Sequence, residues 1–135
     1  MISYQTDLEN ITAEMLSGFF VGWPNPPDCP THLIILHNSS HIVLAVDGDS
    51  HKVIGFINAV SDNCLSAYIP LLEVLPEYQK QGIGAELVKR MLALLSDFYM
   101  IDLACDENMQ EFYAKFKMQK LSGMMIRNYD KQSGK

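Results

Sequence analysis

"VLPEYQKQGIGAELVKRML", residues 74–92, decides the reading of this chain. An apolar lead-in meets a proline, then a run of amide and basic residues holding Gly82 and Gly84, then an apolar-periodic segment. Ile83, Leu87, Val88, Met91, Leu92 and Leu95 recur at helical spacing, while Glu86, Lys89 and Arg90 face away and Glu86 stands one turn ahead of Arg90. The pattern predicts a strand ending at Pro76, a tight turn, and an amphipathic helix starting near Gly82. At such a junction the first helical N–H groups have no intrahelical partner and the dipole adds partial positive charge, a combination suited to an anion and most naturally to phosphate. Glycine at 82 and 84 leaves no Cβ between those donors and a bulky phosphate, and Lys80 adds charge nearby. A lone GxG also serves as an ordinary strand-to-helix turn. It is not a Walker loop, because GxxxxGK[ST] is absent, and it lacks the third glycine and downstream acid of a dinucleotide-binding unit.

Outward from this stretch the chain alternates strands and helices. "ISYQ" reads as a short strand and "ITAEMLSGFF" as a helix capped by Asn10. The prolines of "WPNPPDCP", residues 23–30, make an ordered loop, and "THLIILHNS" a second short helix. "HIVLAV" and "HKVIGFINAV" flank an Asp-Gly pair that suits the positive φ of a hairpin, so they are expected to pair antiparallel. "LSAYIPLLEVL", residues 65–75, is a strand interrupted by Pro70, which implies a bulge, an edge or a splayed partner. After the long helix, "YMIDLAC" reads as a buried strand, "ENMQEFYAKF" as a short helix and "LSGMMIRNY" as a closing strand. The fold class is α+β.

Composition narrows the function. At 135 residues with 48% hydrophobic content, residues 1–135 form one domain with a real core. A formal charge of −6 removes the electrostatic footprint of a nucleic-acid binder. Cys29, Cys64 and Cys105 are odd in number and widely spaced, which suggests neither a disulfide framework nor a zinc site and fits free thiols in a reducing cytoplasm. With no long apolar run and no signal-peptide pattern, the expectation is a soluble cytoplasmic protein with no membrane partner. His32, His37, His41 and His51 follow no ligand pattern and read as exposed polar positions, so no metal is expected.

Gln79, Gly82 and Gly84, with Val74, Pro76 and Tyr78 before them, resemble motif A of the GNAT (GCN5-related) N-acetyltransferases, whose pattern is Gln or Arg, two residues, Gly, one residue, then Gly or Ala. "EFYAKFKM" is similar to that family's late "FYxKxGF" segment, and the order of elements agrees over most of the chain. The resemblance implies a mixed central sheet of about six or seven strands, splayed between the fourth and fifth and flanked by about four helices. It also implies acetyl-CoA as co-substrate. Its pyrophosphate would lie on the backbone N–H groups of Gln81, Gly82, Ile83, Gly84, Ala85 and Glu86, beside Gln79, with pantetheine along Leu72 and Val74.

By the same resemblance Tyr113 is the general acid. A phenol with a pKa of about 10 can protonate a leaving thiolate without itself being ionised. A backbone N–H near Val74 is the oxyanion donor that the family would supply. Glu73, on the strand beside the thioester, is the candidate base, with a solvated carboxylate and deprotonation through water as alternatives. Asp106 stands where the family often has a cofactor-touching Asn, and Asn108 is close enough to substitute. Lys117 and Met118 replace the family's usual Gly and Phe after the late helix.

Acceptor selectivity is expected from "SGFFVGWPNPP" and Tyr68. Phe20 and Trp23 on a proline-fixed loop could wall an apolar pocket, or could simply close the core. The tail "DKQSGK" reads as frayed. The function implied is direct acetyl transfer to a primary amine of a small molecule, by a chain compatible with a homodimer. The alternatives are a non-catalytic acyl-CoA-binding regulatory domain and an acetyltransferase for protein N-termini or lysines.

Overall fold

The computed structural model describes residues 1–135. Six strands, β1 (Ile2–Gln5), β2 (His41–Asp47), β3 (Lys52–Ser61), β4 (Ser66–Ile69), β5 (Leu72–Val74) and β6 (Met100–Leu103), form one mixed sheet. Three α-helices, α1 (Cys29–His37), α2 (Ile83–Leu94) and α3 (Gln110–Ala114), and several short 3-10 turns complete the fold. β1, β2 and β3 pair antiparallel in sequence order.

β3 is the organising strand. Its later residues pair with β4, through Val60 opposite Tyr68, and its middle pairs with β5, through Gly55, Phe56 and Ile57 opposite Val74, Glu73 and Leu72. Between the two partners lie Pro70, which has no N–H to give a ladder, and Leu71. Asn58 bridges the break: its Oδ1 accepts from Leu71 N at 3.1 Å and its own N donates to Leu71 O at 3.2 Å. β6 runs parallel to β4 as far as Leu103 opposite Ile69 and does not pair with β5. The strand interrupted at Pro70 therefore parts from β6 beyond it, and the expected splay opens there.

Both sheet faces are covered, which is why β2 and β3 are almost continuously buried instead of alternating. On one face α2 lays Ile83, Leu87, Val88 and Met91 on the sheet. Gly55 permits that approach, since a Cβ there would meet Leu87 Cδ1 at 3.1 Å and Ile83 Cγ2 at 3.4 Å. On the other face α1 and the loop before it surround Phe56 with Phe19, Phe20 and His32. Asp28 caps α1, accepting from Thr31 N at 2.8 Å, and Pro30 sits in the first turn where its missing N–H costs nothing.

Several expectations are corrected. "ITAEMLSGFF" yields only a 3-10 turn at Ala13–Leu16, because Gly18 (φ 96°) and Phe20 (φ 63°) take left-handed backbone that ends any helix. "LSGMMIRNY" forms no strand, and β6 is half-exposed instead of buried. In the β2–β3 turn the positive φ falls on His51 (57°), not on Gly48. The tail is not frayed, since Gln132 Oε1 accepts from Asn25 N at 2.8 Å and Lys135 Nζ donates to Asp28 at 2.8 Å.

Lys117 does take the left-handed conformation after α3, at φ 67°, where the related motif has glycine. A lysine there costs roughly 1 kcal/mol relative to glycine. Lys117→Gly should raise Tm by about 3–5 °C without changing turnover, as read by calorimetry and a steady-state assay.

Candidate active site

The turn after β5 is built by its own side chains. Tyr78 Oη donates to Asp47 Oδ2 at 2.6 Å, which ties the loop to the end of β2 and holds the Asp47 carboxyl below its ordinary range. Gln79 Nε2 donates to Val74 O at 3.0 Å, folding the loop back onto β5. Lys80 (φ 64°) and Gly82 (φ 83°) supply the left-handed residues that reverse the chain into α2. The N–H groups of residues 80–85 bond to no other backbone group, so they converge unpaired at the start of the helix.

A Cβ on Gly82 would meet nothing within 4 Å, but its φ is one that L side chains rarely adopt. Gly84 is an ordinary helical residue whose Cβ would rest 3.8 Å from Val74 Cγ2 and 3.9 Å from Phe112 Cζ. Only Gly82 is thus required by backbone conformation. Glu86 leaves the set: its N donates to Gly82 O at 3.1 Å and its carboxylate accepts from Arg90 Nε at 2.7 Å. The donors on offer to an anion come from the turn and the first helical residues, ending at Ala85.

Along β5 the backbone alternates. Leu71 O accepts from Asn58 N and Leu75 N donates to Ile54 O, so the odd-numbered residues face β3. Leu72 and Val74 therefore turn their N–H groups the other way, toward the opening between β5 and β6. Opposed residues of a ladder share a face: Val74 lies with Gly55 on the α2 side, and Glu73 lies with Phe56 on the α1 side.

The opening is a cleft of ≈ 480 Å³. Trp23, Phe56 and Met109 give it apolar walls, Glu73 and Asp106 supply carboxylates, and Tyr113 reaches it from α3. No lysine or arginine lines it. Tyr113 is 9% exposed, and burial pushes its phenol up to about 12. Both oxygens of Glu73 are engaged, accepting from Phe20 N at 2.8 Å and Val21 N at 3.2 Å, so this side chain clamps the aromatic loop.

The other sequence candidates divide. Trp23 lines the cleft, and Phe20 stands behind it, buried, with ring centroids 4.9 Å apart. Tyr68 points to the opposite face from its buried neighbours Ala67 and Ile69 and does not line the cleft. Asn108 is exposed on a 3-10 turn outside the lining, whereas Asp106 is part of it. His32 is no exposed polar residue: at 1% exposure its ring is caged by Phe56 (4.4 Å), Phe20 (4.9 Å) and Phe19 (5.4 Å), with both nitrogens unpartnered. A separate hollow of ≈ 340 Å³ beside His37 and His41 contains neither the glycine turn nor the tyrosine. Among His, Cys, Asp and Glu side chains no cluster is placed to hold a metal ion.

The unpaired N–H groups lie in the motif-A segment, and the buried Tyr113 on the cleft lies in the "EFYAKFKM" segment. The sequence profile of the Acetyltransferase (GNAT) family matches residues 8–118. The chain belongs to the GNAT acetyltransferase family. A crystal structure from Deinococcus radiodurans R1, of a protein assigned as an acetyltransferase, superposes with a TM-score of 0.95 at 45% identity, covering 98% of this chain and 92% of that one. A Glycine max protein named histone acetyltransferase TAP1 is 32% identical over 105 residues, 69% of this chain and 45% of its own length. The Arabidopsis thaliana protein named GCN5-related N-acetyltransferase 2, chloroplastic, is 32% identical over 112 residues, 69% of this chain and 43% of its own. The chain spans about half the length of the curated relatives it matches. No helix is long and apolar enough to cross a membrane, and the chloroplastic relative means that family membership does not fix a compartment.

Proposed function

We propose that the chain is an acetyl-CoA-dependent N-acetyltransferase whose acceptor is the primary amine of a small molecule. The observation that carries this is the cleft, which is small, largely apolar, bordered by Glu73 and Asp106 and free of basic side chains. Such a lining favours a cationic amine on an apolar scaffold over an anionic acceptor. Acetyl-CoA supplies an activated acyl group when bound. The N–H groups of Gln81, Gly82, Ile83, Gly84 and Ala85 fit its pyrophosphate, because they are unpaired and Gly82 leaves open space before them. The outward N–H groups of Leu72 and Val74 suit its pantetheine arm and a developing oxyanion.

Tyr113 holds the proton that a departing thiolate requires. Glu73 positions the acceptor wall through its two bonds to the loop, and this we assign above a role as base. In Glu73→Gln one amide hydrogen would confront a backbone N–H, so the loop loosens. The acceptor KM should rise about tenfold with a smaller change in kcat. A fall in kcat of about a hundredfold at constant KM would instead make Glu73 the base.

The test of the whole reading is thiol release from acetyl-CoA over a panel of small amines, with lysine peptides and N-terminal peptides as competitors. Turnover with small amines supports it. Turnover confined to peptides would move the acceptor to proteins, and tight CoA binding with no thiol release from any amine would leave a binding domain.

A further inference from the structure

Of the three free cysteines, Cys105 alone lines the cleft. Cys29 is half-buried in the first turn of α1, and Cys64 is exposed in the turn between β3 and β4, where its N donates to Asp62 Oδ1 at 2.8 Å. β6 keeps its register with β4 only as far as Leu103, and the chain then passes through Ala104 and Cys105 beside the opening that β5 leaves. Cys105 therefore shares a wall with Leu72, Glu73 and Tyr113, and its thiol is open to solvent.

Tyr113 marks where a ligand's sulfur would lie. Its side chain is 9% exposed, faces the same cleft and has no hydrogen-bond partner within the chain. A buried phenol left so is a donor waiting for an acceptor that comes from outside. On the reading proposed above, that acceptor is the sulfur of coenzyme A as the acetyl group leaves it. Cys105 stands near the same phenol, which burial first, and then negative charge on Cys105, push upward. One sulfur of the protein and one of the product thus meet about Tyr113.

We infer that, given the acetyl-CoA reading on which this rests, Cys105 is a modification site for the coenzyme itself, joined to the CoA thiol as a mixed disulfide when hydrogen peroxide is present. The Cys105 thiolate attacks one peroxide oxygen, the O–O bond breaks, and a sulfenic acid forms as hydroxide leaves. The thiolate of bound CoA then attacks the Cys105 sulfur, the S–O bond breaks, and an S–S bond forms as a second hydroxide leaves. The two thiol protons end in two waters, and two electrons pass from the two sulfurs to peroxide. Held on the turn before α2, the coenzyme thiol reacts as an intramolecular group, which a free thiol at the same concentration does not. Acetyl-CoA has no free thiol and cannot take the second step. The adduct occupies the cofactor site until a thiol reductant removes it.

Peptide mass spectrometry of the full chain tests this after treatment with peroxide together with CoA, with glutathione at equal concentration, or with acetyl-CoA. The CoA mass should appear on Cys105 in preference to Cys64 and Cys29 by roughly tenfold or more. Glutathione should show no such preference, and acetyl-CoA should leave no adduct. The acetyl-transfer rate should fall by roughly tenfold or more with CoA labelling and return with dithiothreitol, whereas Cys105→Ser should keep its own starting rate through the same treatment. Equal labelling of Cys105 and Cys64 overturns the proposal, and CoA titration of the unoxidised chain by calorimetry then tells whether the acetyl-CoA reading falls with it. A reversible loss of rate that is as large in Cys105→Ser overturns it too.

Discussion

Tyr113→Phe should lower kcat by about 10²–10³-fold while leaving the Kd for CoA and the melting temperature nearly unchanged. The phenol is the one proton donor that α3 brings to the cleft, and phenylalanine keeps the ring that packs on Phe112, whose centroid is 5.0 Å away. The pH profile carries a second signature. An alkylamine becomes neutral near pH 10.4, where an ordinary tyrosine would already be losing its own proton. Burial pushes Tyr113 up to about 12, so acid and nucleophile are in their working forms over the same range. Activity should therefore rise with pH along the amine's deprotonation, with no falling limb from Tyr113 below about pH 12. A rate in Tyr113→Phe within threefold of wild type would assign the proton to water and return Tyr113 to the core.

Much of this site was legible in the sequence because it is local. A strand, a glycine turn and an amphipathic helix within residues 74–92 leave their periods in the chain, and Pro70 announces the splay by what its ring forbids. The interrupted strand follows from such a signal, whereas Tyr113 and the left-handed position of Lys117 were expected from the family resemblance and Trp23 from its proline-fixed loop. The failures are of another kind. Glu73 clamps Phe20 and Val21 from 53 and 52 residues away in sequence, and alternation cannot report a partner at that distance. Tyr68 was expected to help select the acceptor, but the period of two turns it to the opposite face from Ile69. Gly55 could have been read, since a lone glycine inside an apolar strand marks close approach of another element. "LSGMMIRNY" was read as a closing strand, but its Gly123 and Asn128 disfavour one, and no edge of the sheet takes it.

The histidine behind the acceptor wall gives the largest expected effect on stability. His32 is 1% exposed and caged by three phenylalanines, and desolvation lowers its pKa from 6.5 to about 4. The folded state therefore holds it neutral, while the unfolded chain takes up a proton below pH 6.5. The sign follows: stability from this group is fully present above pH 6.5 and is lost as pH falls toward 4, by about 3 kcal/mol in all. His32→Leu removes the titration and the two buried nitrogens that lack partners. Asp28 and Asp47, whose carboxyls are held low by hydrogen bonds, also lose stability in acid, but they do so in both proteins and cancel in the difference. Urea unfolding from pH 7.5 to pH 4 should show a stability gap in favour of the leucine variant that widens as pH falls. A constant gap would mean that His32 keeps its proton in the cage. Because Phe20 and Phe56 stand between His32 and the cleft, a charge at His32 would also disturb the wall that carries Trp23. The acceptor KM of the folded wild type relative to His32→Leu should accordingly stay flat from pH 6.5 downward and rise only as pH nears 4, where the folded His32 itself takes up a proton, which ties the stability of the aromatic cage to the shape of the pocket it supports.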